Sequence, residues 1–368
     1  MPARLFLALA GLSWLASAAP PARAEDVTSD YRISGQALQQ LVSSPLGRTL
    51  PALPWKVEIL ESWFVNAYSN GRGRISITRG LAFNLGDHPG VWAAAIAHEL
   101  GHVVSAYPAG QPAFEAELRR AYLAAGGSLS DPDAEWALQV TPGVHSAFNL
   151  GGKRRTEYEA DRLGLLLMAE AGFHPDFAIA LDRRMRSTMG DQSKYSEFLL
   201  NHPLWSNREQ QTTRAERIAL AIFNQRWPDA ARSPGGEAPP LGRIVSVTLN
   251  QEPVAGVSVG ATVMHVSFEI QNAARRQVRV AAILLDDNRK VHTSVPAYRA
   301  PDGTLELNSM VPALDRGSAE AALRIPADVV DVRGRKLKAE LFLVADDWTL
   351  DLWFQPLESA SNSREPQP

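Results

Sequence analysis

Cysteine is absent from all 368 residues, and that absence excludes two things at once. No disulfide can staple the fold, and no lipobox cysteine can carry a lipid anchor. Stability has to come from packing, which a chain with 45% hydrophobic and 21% charged residues is able to supply. Beyond the amino terminus no apolar run approaches the roughly 18–20 residues that a membrane span needs. A basic block is missing too, and the formal net charge is only −3, so nucleic acid and anionic lipid are poor partners for this chain. No internal repeat is visible. At roughly 150 residues per domain, the length suggests two domains.

The first residues do carry a signal. Arg4 is followed by an apolar run from Leu5 to Ala16 and then by small residues ending in Ala22-Arg23-Ala24. This is the pattern of a secretory signal peptide over 1–24 with an A-x-A cleavage site, and it predicts a mature protein that starts at Glu25 and resides in the periplasm or outside the cell. Cleavage deletes Arg4 and Arg23 and moves the formal charge from −3 to −5.

Residues 25–227 alternate a few strand-like pieces with longer helical patterns. Val57–Ile59, Asn66–Tyr68 and, after the turn "NGRG", Arg74–Thr78 read as short strands. Asp87 and Pro89 mark a helix start, with helical apolar spacing from Val91 to Val104. Further helices are expected over Ala113–Ala125, Pro132–Leu138, Arg154–Ala171, Pro175–Met189 and Thr213–Asn224. The stretch 228–242 is dense in Pro, Gly and Ala and reads as a linker. Beyond it, 243–357 contains short runs of strand periodicity separated by turn signals, as in a β-sandwich; Leu337, Ala339 and Leu341 alternate with Lys338 and Glu340. The tail 358–368 has the composition of a disordered segment.

"AAAIAHELGHVV" places His98 and His102 four residues apart. On a helix of 3.6 residues per turn, both imidazoles face one side. Two neutral histidines at this spacing form half of a zinc site, with Glu99 beside them to take a proton from water on the metal. Their setting is an Ala-rich, apolar helix, where such groups are costly to bury without partners. The extension that would bring a third histidine fails, because positions 105 and 108 are Ser and Pro. A carboxylate from another helix is the other common solution, and Glu115, Glu117, Glu135, Glu157 and Glu159 are the candidates. Glu157 differs from the rest because Asp161 lies one helical turn on and shares its face. One acid can then bind metal while the other orients a ligand histidine. Glu159 is expected to face solvent. Gly101 and Gly164 would let two helices that share one ion approach closely.

"HELGH", "EYEADRLG" and "NHPLWSNR" together resemble the zinc metallopeptidase family of the CAAX prenyl protease and HtpX, in its soluble exported BepA-like branch. The resemblance covers roughly Val57 to Ile218. It implies that His98, His102 and Glu157 bind one Zn2+ per chain, that Glu99 is the general base, and that Asp161 supports the ligands from behind. His202 and Arg208 match the family's His-Pro and following Arg. They become catalytic candidates for holding the oxyanion, and His202 could instead close the fourth zinc position in a latent state. The integral-membrane members have transmembrane helices and the BepA-like ones have helical repeats, neither of which is seen here, so the partners of those relatives do not transfer.

The expected fold is α+β: a mainly helical, zincin-type metalloprotease domain with a small β-sheet, then an all-β sandwich-like domain. The expected function is an exported zinc endopeptidase acting on unfolded or misassembled envelope proteins, with "VNAYSNGRGRISIT" as an edge strand for extended substrate and the β-domain as a possible contact for an envelope partner. The alternative is a zinc-containing periplasmic chaperone or assembly factor with little proteolysis. Retention of Glu99 beside both histidines favours catalysis, since a binding-only site needs no base.

Overall fold

The computed structural model describes residues 27–141, 150–189, 205–229, 235–252, 261–286, 289–325, 337–346 and 348–357. The expected signal peptide and tail, and His202, lie outside these residues.

The chain opens with a helix that is not among the expected ones. In α1 (Val27–Ser43), Ile33, Ala37, Leu38 and Leu41 recur at intervals of three and four and are buried, while Arg32, Gln36 and Gln39 face out. Three short strands follow, β1 (Lys56–Leu60), β2 (Ala67–Ser69) and β3 (Arg74–Thr78). Their order is β1-β3-β2, with β1 parallel and β2 antiparallel to β3. Thr78 fixes the corner that leads onward. Its hydroxyl accepts from the amides of Asn66 and Leu81, capping α2 (Arg79–Leu85) while it holds the chain entering β2.

The helix α3 (Pro89–Ala106) starts with Pro89 in its first turn, where a missing N–H costs nothing, and is buried along almost its whole length. Next come α4 (Gln111–Ala124), α5 (Pro132–Leu138), α6 (Leu150–Ala171), α7 (Asp176–Met189) and α8 (Trp205–Arg226). The expected helices are all present. The start of α8 lies eight residues before the expected Thr213, because "WSNREQQT" is polar and has no apolar stripe to read. Arg208 falls on this early part of α8, and its side chain is outside those described.

After Leu241 the described regular structure is almost entirely strand. β4 (Leu241–Glu252), β5 (Ala261–Gln271) and β9 (Gly317–Ile325) form one antiparallel sheet in the order β4-β5-β9. β6 (Val278–Asp286), β7 (Arg289–Lys290), β8 (Glu306–Val311), β10 (Leu337–Ala345) and β11 (Trp348–Leu357) form the other. Buried Val266, Phe268 and Leu323 come from the first sheet, and Val280, Leu341 and Leu343 from the second. The Ile244 amide of β4 donates to Asp351 Oδ2 of β11 at 2.7 Å, tying one sheet to the other. With helices and strands segregated along the chain in this way, the protein is α+β.

The described part of the expected linker, 235–242, is packed rather than extended into solvent. His174 N donates to the Gly235 carbonyl at 2.8 Å, Arg183 to that of Gly242 at 2.8 Å, and Asn272 Nδ2 to that of Pro239 at 3.2 Å. Proline and glycine prevent regular structure here but not burial: Gly236, Pro239 and Pro240 are buried. Trp348 of β11 completes this contact. Its ring lies 4.0 Å from that of His88, the residue that opens α3, and 6.1 Å from Phe177 of α7, with the Arg184 guanidinium 5.7 Å from it.

Candidate metal centre

Two helices make the site, and small residues let them do so. Ala97 and Gly101 on α3 meet Ala160 and Gly164 on α6. A Cβ on Gly101 would overlap the Ala160 carbonyl, and one on Gly164 would come within 2.7 Å of the Ala97 oxygen. With backbones this close, short side-chain reach is enough to bring His98 and His102 of α3 onto Glu157 of α6.

The donor atoms of His98, His102 and Glu157 all lie within 4.8 Å of one another, and no other such cluster occurs among the described residues. The Nε2 atoms of the two histidines are 3.1 Å apart. The Glu157 oxygens stand 3.4 Å from each of them, Oε2 from His98 and Oε1 from His102. Behind His98, its Nδ1–H donates to Asp161 Oδ1 at 2.8 Å. That bond fixes the tautomer, leaving Nε2 to face Glu157 and His102. Burial disfavours a charged His98, but the carboxylates of Asp161 and Glu157 outweigh it and raise its pKa to about 10. The same surroundings favour a divalent cation. Two imidazole nitrogens and one carboxylate oxygen are a donor set that suits zinc, and their concentration inside an apolar helix pair would be costly without a positive charge among them. Glu99 is 3% exposed, on the same helix beside His98, and lines the same cleft.

Replacing Asp161 with Ala is therefore expected to weaken zinc binding by roughly 10–100-fold, because His98 loses the group that holds its ring. Titration against a competing chelator measures this; affinity within twofold of the native protein would show that Asp161 has no such role.

Three of the other candidate acids have partners elsewhere, and Glu135 is not part of the cluster. Glu115 accepts from the Val140 amide at 2.7 Å, and Glu117 pairs with Arg120. Glu159 corrects the expectation of a solvent-facing residue. It is 6% exposed and pairs with Arg162 at 2.6 Å, while accepting from the Thr141 amide at 2.8 Å and from its hydroxyl at 3.2 Å. Arg162 in turn donates to the carbonyls of Trp136 and Ala137 at the end of α5. This buried pair anchors α5 to α6. The available signal was Arg162 three residues on, at the spacing of a helical ion pair. Arg208 is not placed by any described contact, and His202 is outside the described residues.

Beside His98 and Glu99 a pocket opens, lined mainly by apolar side chains of α3, α6 and α7, with Ala67 of β2 and Thr212 of α8. The sequence does not reveal it, since its walls come from six separated elements, Leu81 of α2 included. β2 itself is the last strand of its sheet and pairs only with β3 among the described residues.

A family model for "Peptidase family M48" matches residues 34–216. Among curated proteins, the chain is similar to the mitochondrial metalloendopeptidase OMA1 of Schizosaccharomyces pombe, 27% identical over 186 residues that cover 48% of this chain and 52% of that protein. It is similar also to the mitochondrial metalloendopeptidase OMA1 of Arabidopsis thaliana, 27% identical over 186 residues covering 50% and 36%. The chain thus spans about half or less of the length of these curated relatives. Among solved structures, the Pseudomonas fluorescens alkylpurine DNA glycosylase AlkC bound to DNA with an abasic site analog aligns over 90% of this chain and 99% of its own at 10% identity, but with a TM-score of 0.18, which carries no likeness of fold.

Proposed function

Because residues 34–216 belong to peptidase family M48, we propose that the protein is a zinc-dependent endopeptidase whose ligands are His98, His102 and Glu157 and whose general base is Glu99. The observation that carries this reading is the convergence of those three donors within 4.8 Å, with a buried carboxylate adjoining them.

Zinc, when bound, supplies a Lewis acid that polarises a peptide carbonyl and lowers the pKa of water to about 7. The chain's own residues do the rest. Glu99 accepts the proton of the attacking water and delivers it to the leaving amine. Asp161 holds His98 in one tautomer throughout. The His102 side chain is 21% exposed, against 6% for Glu157. The edge of β2 that pairs with no strand among the described residues can take an extended peptide through backbone hydrogen bonds, an arrangement that suits unfolded chains. Arg208 and His202 are assigned to the oxyanion on their family pattern alone.

The finer reading follows from the sequence. Residues 1–24 are proposed as a cleaved export signal, which places the protein in the periplasm or outside the cell, in the BepA-like branch. Misassembled envelope proteins are then the substrate class. Residues 25–227 form the peptidase domain, and 243–357 a β-sandwich-like accessory domain.

The test is metal content together with cleavage. Mature protein is expected to hold one zinc and to cut an unfolded protein; Glu157→Ala is expected to lose both. Zinc at one per chain without cleavage of any unfolded substrate would favour an assembly factor, and a native protein that holds no zinc after mild purification would end the metal reading.

A further inference from the structure

Two carboxylates meet where the helices join the strands. Asp176 opens α7 and is buried, and Glu216 of α8 lies in hydrogen-bond contact with it. The chain that follows the helices is fastened down at the same place. Asn272, one residue past β5, donates from Nδ2 to the Pro239 carbonyl at 3.2 Å and, at the longer distance of 3.5 Å, to Asp176 Oδ2. The His174 amide holds the Gly235 carbonyl, and the Arg183 guanidinium holds that of Gly242. One seam thus joins α7, α8, the segment 235–242 and the end of β5.

This seam lacks a donor. Asp176 Oδ1 is buried and has no hydrogen-bond partner among the described residues. His174 Nδ1, 3.6 Å away, does not supply one, because it accepts from the Asp176 amide at 3.3 Å. Burial keeps that imidazole neutral by lowering its pKa, against the pull of Asp176. A proton on Glu216 does supply one. Two buried carboxylates in contact are costly to ionise together, so one of them holds its proton far above the usual carboxylate range. Burial, then the bond to Asp176 and its charge, push the Glu216 pKa up to about 8, with Arg183 acting the other way. His174 and Arg183 are the other ionisable groups at the pair; among the described residues, β5 and the segment 235–242 bring only the neutral Asn272 amide and backbone carbonyls.

We propose that Asp176 and Glu216 form a proton-operated latch between the helices and the strands: with one proton shared the seam is closed, and when it leaves, two like charges face each other and the segment 235–242 is released. The step is an acid dissociation, with the proton passing to water. Its direction follows from the shift. In an opened seam Glu216 returns to its ordinary value of 4.5, so the latch is strongest below that pH, weakens as pH rises and has lost its whole contribution above about 8. His174, neutral already, titrates on the acidic side of its ordinary range and does not enter a comparison between pH 7 and pH 9. The latch concerns the joint alone and stands whether or not the protein cuts peptides.

The experiment is hydrogen exchange of the full chain at pH 7 and pH 9, read by mass spectrometry in peptides that contain the His174 amide. Native protein is compared with Glu216→Gln, whose amide donates to Asp176 at both pH values. Dividing the native exchange rate by that of the variant removes the intrinsic pH dependence of exchange. For a carboxyl that titrates near pH 8, the opening equilibrium should shift by about tenfold over this interval, and the native-to-variant ratio should rise by about that factor. Asp176→Asn takes away the other charge and should abolish the pH effect in the same way, which keeps the test open if Glu216→Gln folds poorly. A ratio constant within twofold, or an Asp176→Asn protein that loosens at pH 9 as the native one does, would overturn the proposal. So would an equal rise in peptides from β10 and β11, which would make the effect one of global stability and not of the seam.

Discussion

Glu99→Gln is expected to lower kcat on an unfolded substrate by about 10²–10⁴-fold while zinc stays at one per chain. Glutamine has the shape of glutamate, so the 3%-exposed position on α3 remains filled and His98 and His102 are undisturbed. What disappears is the proton acceptor. Because the loss falls on the chemical step and not on ground-state binding, KM should change little and kcat/KM should drop in parallel with kcat. Steady-state kinetics with elemental analysis on the same preparation decides the matter. A Glu99→Gln protein that loads zinc and keeps more than a tenth of native kcat would remove Glu99 from the mechanism, and the assembly-factor reading would gain.

Gly101→Ala should damage the protein through its backbone. The added methyl would overlap the carbonyl of Ala160 and lie 2.9 Å from its Cα, atoms of α6 that cannot rotate away. The helices must separate, at a cost on the order of 1–3 kcal/mol for overpacking, or a fall of very roughly 2–12 °C in Tm for a domain of this size. Separation also pulls the α3 histidines from Glu157, so zinc affinity should fall with stability, and displacement of about 1 Å at the reacting groups can cost on the order of 10²-fold in rate. Gly35→Ala is the matched control. It sits on the exposed face of α1 with nothing within 4 Å of a new Cβ, and helix propensity should make it neutral or stabilising by about 0.5–1 kcal/mol. A Gly101→Ala protein that melts with the native one and binds zinc as tightly would show that the crossing has slack.

These two positions also show where the sequence was legible. Residues four apart on one helix have a fixed relation, so "HELGH" could be read as a pair of converging imidazoles, and Glu157 with Asp161 as acids on one face. Gly101 and Gly164 could be read as a close crossing because no other reason calls for glycine within those helices. Glu159 was misread for want of a direction: its partner Arg162 is local, but the Thr141 groups that complete its environment are 18 residues away. The pocket was invisible for the same cause, since Ala67, Leu81, Met168, Leu181 and Thr212 have no common spacing. Likewise the contact of Trp348 with His88 joins residues separated by most of the chain. In the linker, Pro and Gly correctly signalled irregular backbone, but irregularity says nothing about whether that backbone is covered.

The Trp348 contact has a consequence for how such a chain can be recombined. His88 opens the helix that carries both histidines, and Phe177 and Arg184 belong to α7, a wall of the pocket; all three rest on one indole supplied from near the carboxy terminus. A chain cut after Trp227 would bare that aromatic seat and would also lose the packed segment 235–242. A foreign module grafted in place of the strands would have to bring its own indole to the same spot. The strands are in this sense a keystone and not cargo, and the two halves are expected to be inherited as a unit.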